Sequence, residues 1–242
     1  MRLHVLLVLT ITLGACTTDY IADGDEEDGD PYDFEVNDPD GKADGVPAVF
    51  NANDVIGDDV LTASISLGAA NLQRFFERSP YNNRSWLANH KIDGVPVSRV
   101  IADIAEAEGV NPLVLVARMQ VESSLVSKSV APSQRLIDRA LGCGCPDGGG
   151  CASQFKGLAK QLSCGAKTMR KWYDASIAGT GEWRKGKAKR TLDPKTVTPA
   201  NHATASLYAY TPWVLQGRGG TWLAWNVTRK YVTFAGKEGL TD

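Results

Sequence analysis

Charge is distributed so unevenly along this chain that it limits where a core can form. Residues 17 to 54 hold thirteen acidic side chains and a single base, Lys42, a net −12, whereas residues 55 to 242 hold 24 bases and 15 acids, a net +9. A stretch that rich in Asp, Glu, Gly and Pro buries too little apolar surface to offset chain entropy. Residues 16–54 are therefore expected to be a disordered, self-repelling acidic linker. The oxygen-rich run from Asp23 to Asp30 matches no EF-hand spacing, so no metal is expected there. Folding is confined to residues 55–242, long enough for one domain with its own core. A hydrophobic fraction of 43% excludes wholesale disorder, and no apolar run reaches the roughly 20 residues of a membrane span.

Apolar spacing in the second part is helical rather than alternating. It predicts helices over 58–78, stopped by Pro80, and over 96–108, stopped by Gly109. Asn111-Pro112 is a strong start signal, a capping Asn followed by Pro in the first turn, for a helix running to about Leu125. Its first turns are apolar on every side, the pattern of a buried central helix. Further helices are expected over 133–141, 151–175, 199–210 and 220–234. The class is mainly α, with little or no sheet.

Five cysteines are an odd number. Met1-Arg2 followed by an apolar stretch from Leu3 to Gly14 reads as a signal peptide over 1–15. Leu13-Gly14-Ala15-Cys16 resembles the lipobox of bacterial lipoproteins, which implies lipidation of Cys16 and, with Thr17 after it, anchoring in the outer membrane. Cys143, Cys145, Cys151 and Cys164 remain, and outside the cytoplasm they favour two disulfides. A Cys143 to Cys145 bridge would close a strained ring, which leaves two crossed pairings with Cys151 and Cys164. A four-thiolate zinc site is disfavoured because Cys-x-Cys is not the usual claw. A catalytic cysteine with His202 and Asn201 has only composition behind it.

One carboxylate interrupts the apolar stripe of the central helix. Leu115, Met119, Glu122 and Val126 share a face, and an acid in such a stripe is costly unless paired, protonated or useful. Helix geometry ranks a surface pair with Arg118, one turn earlier, equally with a functional acid.

Gln120-Val121-Glu122-Ser123-Ser124, at the end of a helix that opens Asn111-Pro112, resembles the Glu-Ser signature of the lysozyme-like superfamily, that of lytic transglycosylases and goose-type lysozymes. The run from Asn201 to Trp213 is similar to the helix that bears the tyrosine facing the catalytic glutamate there. The resemblance covers residues 96 to 234. It departs from the family in lacking a Gly-Leu-Met-Gln segment, in whose place stands the Cys/Gly loop from Gly142, and in reading Leu207-Tyr208-Ala209-Tyr210-Thr211 where Ala-Tyr-Asn-Ala-Gly is usual.

The resemblance implies a lysozyme-like helical domain that cleaves the β-1,4 bond between N-acetylmuramic acid and N-acetylglucosamine of peptidoglycan, with Glu122 as general acid kept protonated by Leu115 and Met119. A hydrolase needs a second carboxylate, for which Asp138 and Asp147 are weak candidates, so the one-carboxylate transglycosylase route is favoured. Glycan would be bound by Tyr208, the better match to the family tyrosine, and by Tyr210, Gln120, Ser123 and Asn201. No cofactor or metal is implied. The alternative is a lipoprotein that binds cell-surface glycan without cleaving it. Eleven bases against three acids between Lys156 and Lys195 suit an anionic partner. In an exported chain that partner is expected to be glycan strands with their acidic stem peptides, not nucleic acid, with the membrane touched only through the lipid.

Overall fold

The computed structural model describes residues 31–36, 40–63, 67–146 and 150–241. Cys16, the expected signal peptide over 1–15 and Asp147 lie outside the described residues.

Among them the fold is mainly α. Helices α1 (Asp58–Thr62), α2 (Ala69–Arg78), α3 (Val97–Glu108), α4 (Pro112–Ser123), α5 (Gln134–Asp138), α6 (Leu158–Ile177), α7 (His202–Tyr210) and α8 (Gly220–Lys237) are joined by two small antiparallel hairpins. These are β1 (Lys91–Ile92) with β2 (Val95–Pro96), and β3 (Lys189–Arg190) with β4 (Thr196–Val197). Among the described residues no helix is long and apolar enough to cross a membrane.

Helix α4 sits at the centre. The Asn111 side chain accepts from Leu113 N at 2.9 Å, capping the helix, and every residue from Pro112 to Gln120 is buried. Each apolar side chain so enclosed contributes roughly 1.5–3 kcal/mol, so α4 is the element the others pack around, α8 most closely. Gly109 ends α3 in the left-handed conformation at φ 62°, where a side chain would be strained.

Three expectations need correction. The helix expected over 151–175 begins only at Leu158, because Gly157 at φ 98° separates it from the short turn Ser153–Phe155. The helix expected over 58–78 is two helices, with a break after Thr62 and a new start at Gly68. The break lets Val60 and Leu61 enter the core while Phe75 packs edge-on against Tyr231 and Phe234 of α8. One straight helix could not serve both.

The acidic segment is not a free linker throughout. Residues 31–36 and 40–54 lie on the domain, so its boundary does not fall at 55. Ala43 and Val46 are buried. On α8, Trp225 donates to Pro47 O at 2.8 Å and Arg229 to Gly41 O at 2.5 Å, and Asn226 donates to Asp33 O at 2.7 Å. Asp33 is buried with Lys230 at 2.7 Å, and it accepts from Gln120 at 2.8 Å and Tyr81 at 2.9 Å. Composition averages over the segment, whereas docking needs only one neutralised carboxylate, a few small apolar groups and paired backbone carbonyls.

The disulfides are Cys143–Cys164 and Cys145–Cys151, one of the two crossed pairings left open by spacing. All four thiols are consumed, which removes the zinc and catalytic-cysteine alternatives.

Candidate functional site

Glu122 occupies the last turn of α4, where the helix leaves the core. The turn is fixed from below: Gln120 Oε1 accepts from Val126 N at 3.0 Å and Ser127 N at 3.1 Å, and Ser124 takes the left-handed conformation at φ 51°. Leu115 and Met119, expected to flank the carboxyl, are fully buried, while the Glu122 side chain is 29% exposed and paired with Arg118. The pair is neither at the surface nor sealed. Arg118 is only 2% exposed. Its guanidinium also donates to Thr211 Oγ1 at 2.9 Å and lies 4.7 Å from the centre of the Tyr210 ring. A buried guanidinium costs several kcal/mol unless its donors and its face are occupied; these three contacts occupy both Nη2 donors and one face. Its Nε has no hydrogen-bond partner among the described residues.

Tyr210 closes the corner. Its hydroxyl donates to Leu141 O at 2.7 Å. Burial pushes the phenol up, partly offset by Arg118, and Glu122 raises it further. The third wall is the cysteine loop, where a Cβ on Gly142 would stand 3.0 Å from Glu122 Oε2. Gly142 also has φ 67°, so both backbone and space call for glycine.

A residue the sequence reading passed over holds this loop. Gln161 on α6, fully buried, accepts from Leu141 N and Cys143 N at 3.1 Å each and donates to Cys143 O at 2.7 Å and Phe155 O at 2.8 Å. It shares the inward face of α6 with Leu158, Leu162 and Gly165. A glutamine within that stripe was the available signal.

The expected glycan-binding residues divide. Tyr210 lies on the Glu122 side, against the Arg118 guanidinium that pairs with Glu122. Tyr208, the expected partner, does not: two residues along a helix is a rotation of about 200°, and Tyr208 is buried on the opposite side, stacked on Trp183 at 4.9 Å. Burial pushes its phenol up to about 12. Gln120 likewise points away from Glu122, to Asp33. Ser123 is buried, its hydroxyl between Met119 O at 2.7 Å and Ala140 O at 2.8 Å, so it ties α4 to the chain entering the cysteine loop. Asn201 caps the far end of α7, accepting from Thr204 N at 2.7 Å and donating to Asp54 at 2.8 Å. That is about 13 Å along the axis from Tyr210. Asp138 accepts from Gln134 within α5 at 2.8 Å. Trp183, Trp222 and Trp225 are core, and Trp172 and Trp213 are partly exposed.

The site is thus a half-open acid–base corner with one carboxylate, one buried guanidinium, a phenol and a glycine wall. It can exchange a proton at Glu122, or hold a polar ligand against it. Among the described residues no cluster of His, Cys, Asp or Glu is arranged to hold a metal.

A family model described as the LasA N-terminal domain matches residues 56–212, well over half of the chain. No curated protein and no solved structure matches it. The matched stretch runs from the chain entering α1 to the segment after α7 and so includes α4, both disulfides, Tyr210 and Thr211. By that match the chain belongs to the LasA N-terminal domain family.

Proposed function

We propose that this protein acts on the glycan of the cell wall, on a lysozyme-like fold, cleaving between N-acetylmuramic acid and N-acetylglucosamine by the lytic transglycosylase route with Glu122 as the single acid and base. The observation that carries this reading is the convergence on the partly exposed Glu122–Arg118 pair of three segments far apart in sequence: the end of α4, Gly142 before the first disulfide, and Tyr210 at the end of α7. A carboxylate at that place returns little packing energy, which favours a chemical use for it.

In the proposed step the Glu122 carboxyl gives its proton to the glycosidic oxygen as the bond from that oxygen to the anomeric carbon breaks. A hydroxyl of the same sugar closes onto the carbon and passes its proton to the carboxylate. Glu122 is restored and no water is consumed. A second carboxylate is not needed, in keeping with the engagement of Asp138 by Gln134. Arg118 has to release Glu122 for the acid form to act. Afterwards, held by Thr211 and Tyr210, it stands ready to receive the carboxylate again.

The same ion pair favours a second reading, a domain that grips glycan at this corner without cleaving it. Incubation of the purified protein with sacculi, followed by mass spectrometry, separates the two. Anhydro-muramyl ends lost in Glu122→Gln are the expected result. Retention on sacculi with no fragments supports the binding module, and equal cleavage by Glu122→Gln overturns both uses of the glutamate. The proposal includes a lipid on Cys16 that holds the domain at the outer membrane. Palmitate labelling abolished by Cys16→Ser is the expected result.

A further inference from the structure

Helix α7 has a second working face. Where Tyr208 turns away from Glu122, a cavity of about 270 Å³ opens between the end of α6 and the β3–β4 hairpin. Its walls are Trp172, Trp183, Tyr208 and Leu192, and its charged groups are Lys189, Arg190 and Glu182. Glu182 is already neutralised: Lys189 Nζ pairs with it at 2.5 Å while lying 5.3 Å from the centre of the Trp183 ring. Among the described residues Arg190 makes no ion pair, so the cavity keeps one uncompensated guanidinium. Lys195 in the hairpin and Lys187 just before it are both exposed, which raises the positive potential around the cavity. Leu192 is 61% exposed, an apolar wall largely open to solvent.

We infer that this cavity binds a small carboxylate-bearing ligand, the size of one sugar ring or a dipeptide, with the carboxylate on Arg190 and the body against Trp172 and Leu192. Arginine presents a planar fork that matches a carboxylate through two parallel hydrogen bonds. A partly exposed indole and an aliphatic wall accept the apolar face of a ring or side chain. The volume falls just below the usual range for drug-sized ligands, which limits the occupant to one such unit. The choice of carboxylate over other oxyanions rests on the cell-wall reading, in which muramic acid and the acidic stem peptide are the two sources.

The test is direct titration of the full chain, by calorimetry or by the fluorescence of its indoles, in the Glu122→Gln background so that no turnover intervenes. The probes are N-acetylmuramic acid, the dipeptide alanyl-glutamate, neutral N-acetylglucosamine and inorganic phosphate. Binding of either acid, weakened at least tenfold by Arg190→Glu and several-fold by Trp172→Ala, is expected, and whichever acid binds identifies the source. Arg190 is exposed and lies outside the core, so its variant folds. Equal affinity for the neutral sugar, equal Arg190-dependent affinity for phosphate, indifference to Arg190→Glu, or no binding of either acid overturns the inference. Cleavage of sacculi by the wild type is scored separately, so failure at Glu122 and failure at this cavity are distinct results.

Discussion

Two acid–base pairs flank α4, and they differ in what surrounds them. Asp33 and Lys230 are both enclosed, at 5% and 11% exposure, and the Asp33 carboxylate is saturated by Lys230, Tyr81 and Gln120. Glu122 and Arg118 are enclosed on the base side alone, at 29% and 2%. In the first pair both carboxylate oxygens accept hydrogen bonds and little of either side chain reaches solvent, as suits a pair that fastens the chain. The second leaves its carboxylate at an opening and its guanidinium supported by Thr211 and Tyr210, so the acid can leave without orphaning the base. Chemically alike, one is a fastening and the other a place where a ligand can intervene.

That contrast breaks first if removing Asp33 is harmless. Asp33→Ala leaves Lys230 buried without its partner, a change worth about 3–5 kcal/mol, and should lower the melting temperature more than any variant at Glu122. Thermal unfolding followed by circular dichroism checks it. The cysteine loop comes next. Replacing Cys143 and Cys164 together by Ser should cost about 3 kcal/mol through the denatured chain and loosen the Gly142 wall, read by denaturant titration with and without reductant.

Tyr208 sharpens the contrast between the two faces of α7. Its phenol, pushed up to about 12 by burial, holds its proton more tightly when folded than when unfolded, near 10. Stability is therefore full below pH 10 and falls as pH rises from 10 toward 12, by about 2 kcal/mol. The difference between wild type and Tyr208→Phe across that window isolates the contribution from the other tyrosines. Gly142→Ala should cost about 1–2 kcal/mol, through its left-handed backbone and contact with Glu122, and should impair sacculus cleavage more than stability. The smallest effect is expected at Glu122→Gln, about 1 kcal/mol because Arg118 keeps its other partners. A loss as large as that of Asp33→Ala would make the two pairs equivalent and remove the reason to treat Glu122 as the working one.

Much of the helical frame was legible because its signals are local. Asn111 caps α4 and Gly109 ends α3, each set by a few neighbouring residues. The buried character of α4 followed from apolar side chains on all sides of its first turns. The site was legible only to the extent of Glu122. Local geometry placed Arg118 one turn from it but could not tell that the guanidinium turns inward, because that depends on Tyr210 and Thr211, some 90 residues away. For the same reason Tyr208 was preferred to Tyr210. Which side of α7 faces α4 is a packing outcome, and a tyrosine on either side satisfies the helix equally well. Asp33 was averaged into an acidic run, and its one decisive contact, with Lys230, spans 197 residues.

By itself, then, the sequence determined a mainly helical domain, a central buried helix ending in a carboxylate, and four cysteines limited to two crossed pairings. These follow from turn chemistry, helical period and ring strain, all of which act within short stretches of chain. Tertiary structure alone decided which pairing formed, which tyrosine packs on the Glu122–Arg118 pair, that half of the acidic segment docks, and that a cationic cavity opens behind α7. Each of those depends on which distant surfaces meet, and desolvation rewards or penalises a polar group only once they have met.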